Sequence, residues 1–64
     1  MIGDKIRQRL DELQMTNRHL AKSIGVDDPV ISRYIWNTIT PNPYRLYEIS
    51  KVLEVPMEYF FEED

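Results

Sequence analysis

The chain has 64 residues, 42% of them hydrophobic, with a formal net charge of −3 and no cysteine. That length bounds it to one small domain with a limited core; the missing cysteines exclude a disulfide framework and a thiolate metal site, and the single histidine, His19, excludes a histidine metal cluster within one chain. No apolar run approaches a membrane span, and residues 1–15 mix charged with apolar residues unlike a signal peptide, so the expectation is a soluble cytoplasmic protein without membrane contact.

The first predicted helix covers residues 2–14. Ile2, Ile6, Leu10 and Leu13 recur every three or four positions, and Lys5, Arg7, Arg9 and Asp11 fill the other face. Thr16 is the expected N-cap of a second helix over 17–24, because its hydroxyl can accept an orphan N–H of the first turn. Leu20, Ala21 and Ile24 share one face of that helix. Gly25 follows, where a left-handed residue would end the helix and turn the chain.

A third helix is predicted over 28–36. Asp27 and Asp28 both offer a capping carboxylate, and Pro29 suits a first helical turn. Ile31, Tyr34 and Ile35 form the inward face, and Asn37 is a left-handed stop. The loop 38–42 leads to Asn42-Pro43, a capping residue followed by Pro at the first helical position. The fourth helix, 43–53, turns Leu46, Ile49, Ser50 and Leu53 inward. Val55-Pro56 breaks it, and residues 57–61 offer Met57, Phe60 and Phe61 to the core as a short fifth helix. The acidic end is expected to fray, and Tyr44, Tyr47 and Tyr59 to sit at the rim of the core.

The second and third helices, joined at Gly25, have the layout of a helix-turn-helix, whose second helix can enter the DNA major groove. The net charge opposes phosphate binding, but its distribution does not. Residues 1–33 hold six Lys/Arg and five acids; residues 34–64 hold two Lys/Arg and six acids, four of them in the last seven residues. A tail pointing away from the ligand would leave a basic binding face.

With these helices in place, the chain resembles the lambda-repressor-like domain of the Cro/C1 and Xre-type regulators, ungapped from Ile2 to about Phe61. The family's LA…GV…IS core is matched by Leu20, Ala21, Gly25, Val26, Ile31 and Ser32. The helix that follows is matched by Pro41, Leu46, Ile49, Leu53 and Val55, with Asn42 at the Ser cap, and the closing segment by Met57, Phe60 and Phe61. The resemblance implies an all-α, five-helix fold. Five positions depart from the family pattern. Ile35 and Leu10 replace a Glu and an Arg that can pair, an apolar exchange compatible with stability. Asn37 replaces a Gly. Asp28 and Pro29 replace polar readers, which leaves the mode of base readout open.

With Ile31, Tyr34 and Ile35 inward, helix geometry leaves Asp28, Pro29, Ser32, Arg33 and Trp36 outward. Arg33 can bond guanine O6 and N7 together, Ser32 can serve either kind of base, Asp28 would accept from a cytosine amino group, and Pro29 can pack on a thymine methyl. Arg33 has a structural alternative, pairing with Asp27 or Asp28 of its own helix. Asp28 has one as well, a helix-start carboxylate that favours the macrodipole.

The resemblance implies phosphate contacts at the start of the second helix, Thr16 and Asn17, with charge added by Arg18 and Lys22, and at the corner formed by Trp36, Asn37 and Thr38. The Trp36 indole N–H can donate to a phosphate oxygen; the alternative is a partly buried ring covering the fourth helix. His19 is given no role. The charge-poor loop 38–42 implies weaker backbone affinity than a basic relative has.

The resulting expectation is a small regulator, a repressor before an activator, that binds an inverted-repeat operator in double-stranded DNA as a homodimer. No catalytic set, metal or cofactor is expected. The competing reading is a protein-interaction module on the same fold, with Pro29 and Trp36 as its anchor.

Overall fold

The apolar stripes converge on one core. The structure is a computed structural model describing residues 1–62, and within them it is all-helical: α1 (Ile2–Leu13), α2 (Asn17–Ile24), α3 (Asp28–Ile35), α4 (Pro43–Leu53) and a closing 3₁₀ turn, Met57–Phe61. Ile6, Leu10, Leu20, Ala21, Ile24, Ile31, Tyr34, Ile35, Leu46, Ile49, Leu53 and Phe60 are buried together. Leu10 and Ile35, an apolar pair from α1 and α3, are both among them. The central helices α2 and α3 pack on each other; α1 backs α3, and α4 backs α2.

The expected fifth helix is this 3₁₀ turn. Five residues after Pro56 leave little to propagate once an α-helical turn is nucleated, and so short a piece takes the tighter 3₁₀ form. A 3₁₀ repeat of three puts Met57 and Phe60 on one edge and rotates Phe61 away. Phe60 is accordingly buried, Met57 half-buried and Phe61 62% exposed, so Phe61 is not the core residue expected. Tyr44 and Tyr47 are likewise exposed rather than at the core rim, at 86% and 53%; Tyr59 is half-buried. Lys5 departs in the other direction: expected outside, it is 7% exposed, with its ammonium 5.4 Å from the Tyr59 ring centroid. It flanks the apolar stripe where the closing turn packs on α1, and its methylene stem suits such a site. The expected fraying concerns in part Glu63 and Asp64, which lie outside the described residues.

All four helices terminate alike. A left-handed residue follows the last turn: Gln14 (φ 54°), Gly25 (φ 75°), Asn37 (φ 59°) and Glu54 (φ 59°). The next amide then donates to a carbonyl five residues back, Met15 to Leu10 and Val26 to Ala21 at 2.9 Å, Thr38 to Arg33 at 2.9 Å and Val55 to Ser50 at 3.1 Å. This is the Schellman arrangement, and Met15, Val26 and Val55 provide its apolar contact by packing against the core. Two arginines close helix ends across the fold. Arg9 Nε donates to the Leu53 carbonyl at 2.8 Å and Arg45 Nη1 to the Ile24 carbonyl at 3.4 Å, placing cations at the C-terminal ends of α4 and α2 as the helix dipole favours.

The start of α1 is closed by α3. The Asn37 side-chain oxygen accepts the Gly3 N–H at 3.0 Å, and its amide nitrogen donates to Asp4 at 3.2 Å. A methyl group on Gly3 would collide with the Tyr34 carbonyl oxygen and lie 2.7 Å from those of Ile35 and Asn37 Oδ1. The close approach of α1 to the end of α3 therefore requires glycine.

The three non-glycine left-handed positions should respond with different signs. Gln14→Gly and Glu54→Gly relieve the backbone cost and should each stabilise by about 0.5–1 kcal/mol in urea denaturation. Asn37→Gly relieves the same cost but orphans the Gly3 N–H, and should instead destabilise by about 1 kcal/mol or more. Stabilisation by Asn37→Gly would show that the side-chain tie to α1 contributes nothing.

Candidate nucleic-acid interface

α3 is buried along Ile31, Tyr34 and Ile35, which fixes what it shows to solvent. Asp28, Pro29 and Arg33 are exposed, Ser32 is half-buried, and Trp36, just past the last helical residue, is 70% exposed. Positions 29, 32/33 and 36 recur at helical spacing and form one stripe along α3. The N-cap is Asp27, in extended conformation and without a side-chain cap bond; Asp28 is a first-turn acid, not the cap.

Arg33 has no carboxylate within ion-pair distance among the described residues, so the intrahelical pairing with Asp27 or Asp28 is not formed. Arg18 and Lys22, both exposed on α2, are also without such a partner. Arg9 and Arg45, by contrast, pair with Glu12 and Glu48 of their own helices at 3.2 and 3.4 Å besides closing helix ends. The Lys51 ammonium lies 5.2 Å from the Tyr47 ring centroid. The exposed cations with no carboxylate or carbonyl partner among the described residues are thus Arg7, Arg18, Lys22 and Arg33 on the first three helices and Lys51 on α4.

At the start of α2 the Thr16 hydroxyl accepts the His19 N–H at 3.0 Å, as its capping role requires. The Asn17 and Arg18 amides have no acceptor among the described residues. Two backbone donors at the positive end of a helix, beside a cation, suit an anion.

The corner after α3 is more divided. The Asn37 side chain is committed to Gly3 and Asp4. The Thr38 amide is bonded to the Arg33 carbonyl, which leaves its exposed hydroxyl available to a ligand. Trp36 does not cover α4: the Arg7 guanidinium of α1 lies 5.7 Å from its ring centroid. By periodicity alone Arg7 falls on the outer face of α1. Only the packing of α1 on α3 brings it to this face, and no local pattern signals that.

A helix-turn-helix family model matches residues 6–60. The chain is 38% identical over 60 residues to an uncharacterized transcriptional regulator in the ATPase CF(0) region of Rhodospirillum rubrum, covering 94% of this chain and 56% of the relative. It is 36% identical over 62 residues to an uncharacterized HTH-type transcriptional regulator of Sinorhizobium medicae (strain WSM419), covering 97% and 45%. The chain spans about half the length of the curated relatives it matches. Among solved structures it is similar to the P22 c2 repressor protein in complex with synthetic operator 9T, with TM-score 0.90, 30% identity and coverage of 100% of this chain and 97% of that one.

The open residues of this face should be dispensable for folding. Arg33→Ala should leave stability within about 0.5 kcal/mol of wild type. Thr16→Ala, which removes a bonded cap, should cost about 1 kcal/mol. Urea titration of both variants checks this, and equal losses would contradict the geometry.

Proposed function

The chain belongs to the Cro/C1-type helix-turn-helix family, and from that premise we propose that it is a transcriptional regulator, acting as a repressor, that binds a specific site in double-stranded DNA with α3 in the major groove. The observation that carries this is the outward stripe from the exposed Pro29 through the half-buried Ser32 and exposed Arg33 to Trp36 at the C-cap, along a helix whose opposite side is committed to the core. The operator complex of the structurally similar P22 c2 repressor supports duplex DNA as the ligand. Arg33 reads a guanine through O6 and N7; Asp28, Pro29 and Ser32 read or exclude neighbouring bases. Thr16, Asn17 and Arg18 hold one stretch of backbone, and Trp36 and the Thr38 hydroxyl hold another. Asn37 acts there through the backbone it shapes, since its side chain is tied to α1. Two copies of the domain occupy an inverted repeat, with half-sites about 34 Å apart.

One observation favours a second reading, a protein-docking head. Asp27 and Asp28 stand exposed at the entry of α3, and neither forms an ion pair among the described residues. Acids there oppose phosphate, and Pro29 with Trp36 would anchor a protein partner.

Selection from random duplexes, followed by binding of the enriched pool across a salt series, separates the two. The DNA reading expects an enriched inverted repeat and affinity that falls steeply with salt; no enrichment and a flat salt response would transfer the assignment to protein docking. On the enriched site, Arg33→Ala should cost about 1–3 kcal/mol and relax preference at one base position. Asn17→Ala should weaken binding alike for all sequences, and a base-specific effect there would contradict its backbone role.

A further inference from the structure

We propose that Trp36 holds the Arg7 guanidinium against its indole so that Arg7, on α1 and outside the two reading helices, contacts a DNA backbone phosphate beside the C-terminal end of α3. This rests on the DNA-binding reading and adds a contact to it.

Three observations converge. First, Arg7 is exposed and has no carboxylate within ion-pair distance among the described residues, although acids flank it on its own helix. Asp4, Arg7, Gln8 and Asp11 line one shallow groove. The Asp4 carboxylate is occupied by the Asn37 amide at 3.2 Å and the amino terminus at 3.5 Å. Asp11 lies one turn further along α1, away from α3's joint at Gly3.

Second, what Arg7 meets is a ring: its guanidinium carbon is 5.7 Å from the Trp36 centroid. An aromatic face holds the planar cation without consuming its N–H donors, unlike a carboxylate. The five donors remain available for a bidentate bond to a phosphate.

Third, the ring occupies the right place. Trp36 continues the stripe Pro29–Ser32/Arg33 by one further helical turn and is 70% exposed. The backbone beneath it is fixed, because the following residue, Asn37, is tied to Gly3 and Asp4 of α1. Helix α1 therefore cannot slide along α3 without breaking those bonds, and Arg7, one turn beyond Asp4, is kept beside Trp36. The cation is delivered by tertiary structure to the edge of the face that carries Arg33, where the loop 38–42 has no basic residue of its own.

The test compares wild type, Arg7→Ala, Trp36→Ala and the double variant on the enriched duplex over a salt series, with helical circular dichroism as the folding control. Arg7→Ala should lower the magnitude of the slope of log K against log salt by about 0.9, the loss of one phosphate contact, and leave base preference unchanged. Arg7→Gln, which keeps the helix-forming stem, should show the same loss and replaces the alanine variant if that variant misfolds. Because Trp36 acts in part through Arg7, the double variant should bind more tightly than the two single losses multiplied predict. A wild-type slope retained in Arg7→Ala and Arg7→Gln, with wild type binding steeply, overturns this proposal and leaves the DNA reading intact. Strictly multiplicative losses overturn the role of Trp36 as platform. A flat wild-type response overturns both this contact and DNA binding itself, and makes the Arg7–Trp36 pair a candidate protein anchor.

Discussion

The exposed face of α3 is held at a fixed attitude by a joint to α1 that depends on one side chain, Asn37. Its backbone ends α3 in the left-handed conformation, its side-chain oxygen closes the start of α1 on the Gly3 amide, and its amide nitrogen fixes Asp4. The two ends of chain joined this way are more than thirty residues apart. The joint closes because Gly3 has no Cβ to strike the Tyr34 and Ile35 carbonyls. Glycine within a helix costs stability in isolation; here it permits an approach that a side chain would forbid. Asparagine suits the other half of the joint, since it tolerates positive φ better than most residues and carries both an acceptor and a donor.

The same economy governs the other helix ends. A chain of this size buries little surface, so each unsatisfied carbonyl weighs heavily. The repeated Schellman termini bond one set of carbonyls from the chain's own next residues. Arg9 and Arg45 reach across the fold to two more, at the ends of α4 and α2. These arginines orient the supporting helix against α1 and α2, so polar bonds fix geometry that a small apolar core would define loosely. Helices α2 and α3 and the helices that support them are thereby joined at their ends as well as along their apolar faces.

How much of this was legible follows from the range of each interaction. Apolar periodicity is a local property, and it located α1 to α4 to within a residue and identified the buried faces of Leu20/Ala21/Ile24 and Ile31/Tyr34/Ile35. The caps Thr16 and Asn42 were legible for the same reason, since each bonds an amide three residues away. Interactions across the fold were not. Lys5 and Arg9 look like outer-face residues of an amphipathic helix until the closing turn and the end of α4 are set against them. Phe61 looks like core until the closing segment proves to turn every three residues. Asn37 was legible as a helix stop, but its side-chain role depends on Gly3, and nothing near either residue in sequence points to the other. On the candidate face, the outward set of α3 followed from geometry. The meeting of Arg7 with Trp36 did not, because it belongs to the packing of α1 on α3.

The charge of the chain takes on a different meaning once these commitments are counted. A net charge of −3 describes all ionisable groups as equals, yet they are not equally available. Lys5 is buried beside Tyr59, Arg9 and Arg45 are bonded to helix ends and to glutamates, and Lys51 lies over Tyr47. Of the exposed basic residues without a carboxylate or carbonyl partner among the described residues, Arg7, Arg18, Lys22 and Arg33 belong to α1, α2 and α3, and Lys51 alone to α4. A phosphate backbone responds to the charges within about a Debye length, roughly 8–10 Å at moderate salt, and far less to acids on the opposite side of the fold. Exposed acids do stand beside the open cations, Asp27 and Asp28 at the entry of α3 and Asp4 and Asp11 in the groove with Arg7. They leave little surplus charge for indiscriminate backbone attraction, so affinity on this face has to come from well-placed contacts. A domain with few open cations depends on where each one is held, so an arginine positioned against an aromatic ring, as proposed for Arg7, would weigh more here than on a uniformly basic surface.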